Sequence, residues 1–224
     1  IQESTLQEIG VKMNLLDNRL YTAIAWYDQD KTYRDSQTGA LVAVYGDGLE
    51  FEMRALVSEN LSILATATHT NTEEVSNGAL AVINGADFAA QNGLNPEDVY
   101  GGRIAGPRSA FVGMNTRMER GGLPDNIVSI YGTWAQELGA GDVTGSLGLT
   151  WVDETYTDIM QTVMLPSYTV VNGSVSYAQG PFTGLLQVNN LLDEEYYTSA
   201  DLFDSVVVKP SAGRTFSLTL TYAF

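Results

Sequence analysis

One histidine, His69, and no cysteine in 224 residues leave little room for enzymatic chemistry. A Ser-His-acid triad would need His69 as its base. A zinc site would need nitrogen or sulfur partners that no other His or Cys can offer. Strand parity puts His69 on an apolar face, between Thr68 and Thr70, as an interfacial side chain. Carboxylate pairs such as Glu73-Glu74 and Glu194-Glu195 are adjacent in sequence, so in a strand they point to opposite faces. They read as solvated loop charge rather than as a general acid and base. No catalytic residue, metal or cofactor is expected.

Arginine offers a different chemistry. Arg54, Arg103, Arg108, Arg117 and Arg120 make up nearly half of the 11 Lys+Arg in a chain with 27 Asp+Glu. Four of them fall in the connection from Glu73 to Pro124, far beyond the ordinary loop maximum of about 15 residues, which marks it as functional or disordered. There, Asn95-Pro96-Glu97-Asp98-Val99-Tyr100 resembles a capped helical turn. Tyr100 with Arg103, Arg108, Arg117 and Arg120 could hold an anionic, aromatic ligand by charge and stacking. Ion pairing with acidic neighbours is the competing use of these arginines. Gly101-Gly102 and Gly121-Gly122 lack the lysine and the context of a phosphate loop and are turns.

The elements positioning these residues are strands. The chain has 22 Gly, 12 Tyr and only 17% charged residues, a balance that favours strands and turns. The longest uncharged apolar stretch, Gly78 to Ala86, is about half of the roughly 18 to 20 residues a membrane helix needs. A strand crosses the same hydrocarbon in about 9 to 11 residues and shows lipid only every second side chain. Near-neutral hydropathy therefore does not argue for solubility. A net charge of -16 opposes nucleic acid as a partner.

Period-two alternation is cleanest at the end, where Phe216, Leu218, Leu220, Tyr222 and Phe224 alternate with Thr, Ser and Ala. Leu49, Phe51 and Met53 likewise oppose Glu50, Glu52 and Arg54, charges that must see water or each other and so line a lumen. The pattern predicts about nine strands, near 6–14, 19–30, 47–58, 61–72, 125–137, 142–153, 167–178, 182–191 and 213–224. Short turns alternate with long loops near 31–46, 73–124, 154–166 and 193–212. That layout, with aromatics gathered near strand ends, is expected of an all-β, antiparallel outer-membrane barrel. Nine strands leave two unsatisfied edges in hydrocarbon, so further strands are expected from another chain or from the rest of a longer one. Residues 1–10 show no secretion signal.

Several segments resemble TonB-dependent receptors of the bacterial outer membrane. The clearest runs from Asn189-Asn190-Leu191-Leu192-Asp193-Glu194-Glu195-Tyr196-Tyr197 through Pro210 and Gly213-Arg214 to the strand ending in Phe224. Glu8-Ile9-Gly10-Val11-Lys12, Leu15-Leu16-Asp17-Asn18-Arg19-Leu20, Gly48-Leu49-Glu50-Phe51-Glu52 and Leu165-Pro166-Ser167-Tyr168-Thr169-Val170 agree with it. The resemblance implies a barrel of about 22 strands around a plug, of which residues 1–224 supply about the last nine. It also implies a TonB contact through that plug, and uptake of a scarce nutrient, most plausibly a ferric siderophore. A passive porin-like wall is the alternative, and an outer-membrane hydrolase a distant third. Phe216, Leu218, Leu220, Tyr222 and Phe224 resemble the signal read by the barrel-assembly machinery. Lipid and lipopolysaccharide would be further partners. Asp193, Asp201 and Asp204 could hold calcium by oxygen ligands, or bridge through divalent cations to lipopolysaccharide phosphates.

Overall fold

The computed structural model describes residues 2–34, 41–76, 93, 117–157, 164–199 and 208–224. Nine long strands form its wall: β1 (Glu3–Leu15), β2 (Leu20–Arg34), β3 (Leu41–Leu56), β4 (Leu61–Ser76), β5 (Asn126–Leu138), β6 (Gly141–Val152), β7 (Tyr168–Gln179), β8 (Phe182–Asn189) and β9 (Thr215–Tyr222). Each pairs antiparallel with its sequence neighbours, in the order β1 to β9. Among the described residues, β1 pairs only with β2 and β9 only with β8.

The sheet is a single layer. Only Val42, Leu165 and Val171 are buried apolar residues among those described. Ile9, Leu147, Phe216, Leu218 and Leu220 all stand more than half exposed. A soluble sandwich would cover such rows with a second sheet; here they stay open on one side.

The register shows which side chains share a face. One row runs Val11, Ile24, Phe51, Ala67, Val128 and Trp151, and another Leu147, Gly173 and Val188 to Phe216. The opposite face carries Lys12, Ala23, Glu52, Thr66, Ser129 and Thr150 in one row, and Ser62, Thr133, Ser146, Ser174, Gln187 and Ser217 in another. A continuous apolar band therefore backs onto a hydroxyl-rich face. This is the division that acyl chains outside and water inside require.

Tight turns close one end of the wall. Leu16, Asp17 and Asn18 all take positive φ, and Arg19 N–H donates back to Leu16 O at 3.0 Å. Arg19 ties this turn to the next hairpin, donating from Nε to Leu56 O at 3.2 Å and from Nη2 to Val57 O at 2.8 Å. Gly139 and Gly180 provide the left-handed residues of the following two turns.

At the other end the strands outrun expectation. Most of the loop expected near 31–46 is strand, for β2 continues to Arg34 and β3 begins at Leu41, with Arg34 opposite Leu41. Tyr33, Val42, Val44 and Tyr45 have strand-favouring side chains, and backbone pairing does not stop where hydrocarbon stops. The loop expected near 73–124 likewise begins late: β4 reaches Ser76, and Met118–Glu119 pairs with Glu73 and Glu74. Within 154–166, Thr155–Tyr156 pairs with Met164–Leu165, and within 193–212, Tyr197–Ser199 pairs with Val208–Pro210. The wall thus carries short hairpin stems beyond its membrane-spanning part.

Candidate functional site at the outer mouth of the bore

Glu50, Glu52 and Arg54 occupy alternate positions of β3, on the hydroxyl-rich face opposite Leu49, Phe51 and Met53. Arg54 Nε lies 2.6 Å from Glu52 Oε1, and its guanidinium is 5.9 Å from the Tyr21 ring. Glu52 Oε1 has no aligned hydrogen bond although it is shielded from solvent. Its contact with Arg54 is Coulombic, and Arg54 itself remains 70% exposed. Arg54 and Tyr21 border an open groove with Leu64 and Tyr131.

Higher on the same face, Tyr27 Oη and Thr70 Oγ1 share a hydrogen bond of 2.8 Å across β3. The bridge exists because Gly48 lies between them: a Cβ there would stand 2.8 Å from Tyr27 Oη and collide with the His69 carbonyl. Lys31 sits 5.8 Å from the Tyr33 ring centroid. At the start of β7, Tyr168 stacks on Tyr196 with centroids 4.1 Å apart and planes 13° apart. Composition does not reveal these pairings. The signal available was register, since Tyr27 and Gly48 are directly opposed.

The candidate arginines separate. Tyr100, Arg103 and Arg108 lie outside the described residues. Arg117 is ion-paired through Nε to Glu73 Oε2 at 2.5 Å, and its guanidinium lies 4.2 Å from the Tyr45 ring. Tyr45 and Glu73 are opposed in register, on the parity of Leu49 and His69, so Arg117 lies on the outward face. Arg120 N–H donates to Thr72 O at 2.8 Å, and its Nε is 3.7 Å from Glu74 Oε2. Thr72 and Glu74 share the parity of Glu50, which sets Arg120 beside the bore. Both arginines have carboxylate partners, the competing use their acidic surroundings allowed. Of the two, only Arg120 faces the bore.

His69 belongs to the outward face, opposite Leu49 and Asn126. Its Nδ1 is 2.9 Å from Asn126 Oδ1, and Asn126 Nδ2 donates to Asp153 Oδ2 at 2.6 Å. The amide is oriented by Asp153, so Nδ1 of His69 is the donor. No serine hydroxyl appears among its described partners. Phe216, Leu218, Leu220 and Tyr222 form the outward row of β9, continued by Phe224, with Tyr222 packed 4.7 Å from Phe182 and 5.6 Å from Phe224. Of Asp193, Asp201 and Asp204, only Asp193 is described; it binds Arg214 N–H, and no group of three metal-ligating side chains occurs among the described residues.

Residues 2–191 match the profile of the family described as TonB dependent receptor-like, beta-barrel. The fold is similar to the siderophore receptor PiuA from Acinetobacter baumannii, with a TM-score of 0.69 at 20% identity, covering 98% of this chain and 28% of that one. It is also similar to the ferric yersiniabactin uptake receptor FyuA from Yersinia pestis, with a TM-score of 0.69 at 16% identity over 100% of this chain and 30% of that one. For the ferripyoverdine receptor of the outer membrane of Pseudomonas aeruginosa the TM-score is 0.62 at 17% identity, over 99% and 27%. The chain thus spans less than a third of the length of these structures. No curated protein matches it. The chain belongs to the TonB-dependent receptor β-barrel family, as a stretch of outer-membrane barrel wall.

Proposed function

We propose that this chain is the C-terminal sector of an outer-membrane receptor that imports a ferric siderophore with energy delivered through TonB. One observation carries the reading: a wall of this family, apolar outside and polar inside, has two edges that hydrocarbon cannot satisfy. Further strands and a plug complete it, and TonB acts through that plug. The barrel-assembly machinery reads the outward row Phe216, Leu218, Leu220, Tyr222 and Phe224, and lipid with lipopolysaccharide surrounds the apolar band. In this reading the receptor acts by transport and makes and breaks no covalent bond. Arg120, Tyr27 and the Tyr168–Tyr196 stack border the bore where an anionic, aromatic complex would arrive, and Tyr100, Arg103 and Arg108 are the loop candidates. Among the similar structures, FyuA is a ferric yersiniabactin uptake receptor and the Pseudomonas aeruginosa receptor is bound to ferripyoverdine, which supports a ferric siderophore as the cargo.

The test is uptake of radio-iron carried by catecholate and hydroxamate siderophores, in cells whose only siderophore receptor is the full-length protein. Accumulation that requires both the receptor and TonB is expected for at least one class. Passive entry that persists without TonB would establish the porin-like wall instead.

A further inference from the structure

The last strand poses a problem of register that its own sequence does not solve. β9 reads Thr-Phe-Ser-Leu-Thr-Leu-Thr-Tyr. A slip of one residue would turn Phe216, Leu218 and Leu220 into the bore, which the hydrophobic pattern forbids. A slip of two keeps every apolar side chain outside and every Ser and Thr hydroxyl inside. Leu186, now opposite Leu218, would then face Phe216 or Leu220. The strand cannot discriminate among these pairings except at its ends. The barrel can, because strand stagger sets its shear and with it the fit of β9's free edge to the next strand.

The discriminating contacts lie just outside β8 and β9. Asn190 is 4% exposed and has a φ of 52°. Its backbone N–H donates to Asn172 Oδ1 at 2.9 Å, and its Oδ1 accepts the Glu194 N–H at 2.9 Å. Its Nδ2 donates to Glu194 O at 2.9 Å and to Ala212 O at 3.3 Å. Asp193, with a φ of 58°, accepts the Arg214 N–H on Oδ1 at 2.7 Å. Arg214 Nη1 donates to Leu191 O at 3.2 Å. A side chain at Gly213 would begin 3.2 Å from Asp193 Oδ1. Ala212, Gly213 and Arg214 are the residues immediately before β9. A slip of two would carry them about 6 to 7 Å along the strand and break their bonds to Asn190 and Asp193 together.

We infer that Asn190, Asp193 and the Arg214 backbone form a register lock that selects one pairing of β9 from alternatives two residues apart, and so sets the stagger with which the barrel closes. Asn190 and Asp193 are positioning residues. Their part is independent of which ligand the receptor carries.

The test uses the full-length receptor in outer membranes, with cysteine pairs that report register. Leu186→Cys with Leu218→Cys reports the native pairing. Leu186→Cys with Phe216→Cys, or with Leu220→Cys, reports a slip, because diagonal partners in the native register exceed the reach of a disulfide. With the lock intact only the native pair should cross-link on mild oxidation. Asn190→Ala combined with Asp193→Ala should raise the slipped-to-native ratio at least tenfold, the factor that about 1.4 kcal/mol of lost hydrogen bonding supplies. Asp193→Asn keeps an acceptor for Arg214 N–H and should keep the native pair alone. If the double variant assembles and cross-links only in the native register, the inference fails. If the double variant gives no barrel, Asp193→Asn decides: assembly in native register supports the lock, whereas its failure or slippage overturns it.

Discussion

Leu147→Arg and Ser146→Arg place one charge at adjacent residues of β6 that the register assigns to opposite faces. Leu147 lies about six residues from the turn at Gly141. At about 3.3 Å per residue and a tilt near 45°, that is roughly 14 Å along the membrane normal, close to the middle of a hydrocarbon core about 30 Å thick. Leu147 is 56% exposed on the apolar face, over Gly173, so an arginine there meets acyl chains at a cost of about 2 to 4 kcal/mol. This corresponds to a loss of roughly 30- to 900-fold in the folding equilibrium. Ser146 faces the bore, where its Oγ and that of Ser174 share a hydrogen bond of 2.6 Å. Arginine there reaches water and forfeits that one bond, worth about 1 kcal/mol. Urea unfolding of the full-length receptor in phospholipid vesicles, followed by tryptophan fluorescence, measures both. A Ser146→Arg cost equal to or above that of Leu147→Arg would refute the assignment of faces on which the reading rests.

Arg120→Ala should weaken siderophore uptake while Arg117→Ala leaves it unchanged, because only Arg120 shares the bore parity; each ion pair contributes no more than about 1 kcal/mol to stability. Radio-iron uptake at equal receptor abundance checks this pair. Gly48→Ala should destabilise the wall by about 1 to 3 kcal/mol, since its Cβ would press on Tyr27 Oη and the His69 carbonyl. Pairing it with Tyr27→Phe should recover only part of the loss, because the carbonyl contact remains, and urea midpoints read the difference. Tyr168→Ala should cost about 0.5 to 1.5 kcal/mol beyond lost area by removing the Tyr196 stack, while Tyr168→Phe keeps most of it; the same unfolding assay distinguishes the two.

Strand number, order and parity were legible because a period of two is written into side-chain types wherever lipid meets one face. Strand length was less so. Beyond the membrane both faces meet water, so Asp28, Asp30 and Asp47 erase the alternation while the backbone continues to pair. The same loss of contrast hid the difference between Arg117 and Arg120. Their faces follow from the pairing of Met118 and Glu119 with Glu74 and Glu73, a partnership across more than forty positions that no local pattern encodes. Asn190 was recognised as part of a family segment, yet its burial was not visible. An asparagine at positive φ reads as an ordinary turn until its five hydrogen bonds are traced.

The distribution of charge across the bore face follows from these registers. On β1 to β4 that face carries Glu8, Lys12, Lys31, Glu50, Glu52, Arg54 and Glu74. On β5 to β9 its charges are Glu137 and Asp142, opposed beside the turn at Gly139, and the rest is mainly Ser, Thr, Gly, Asn and Gln. Two pairs of those hydroxyls satisfy one another, Ser129 with Thr150 at 3.1 Å and Ser146 with Ser174 at 2.6 Å. The bore face therefore presents fixed charge in one sector and mainly uncharged polar side chains in the other. Placing an arginine at Ser174 would add charge where the β5 to β9 sector has none at mid-height. Its effect on transport should exceed its effect on stability, the reverse of what the same substitution at Val175 should do on the lipid face.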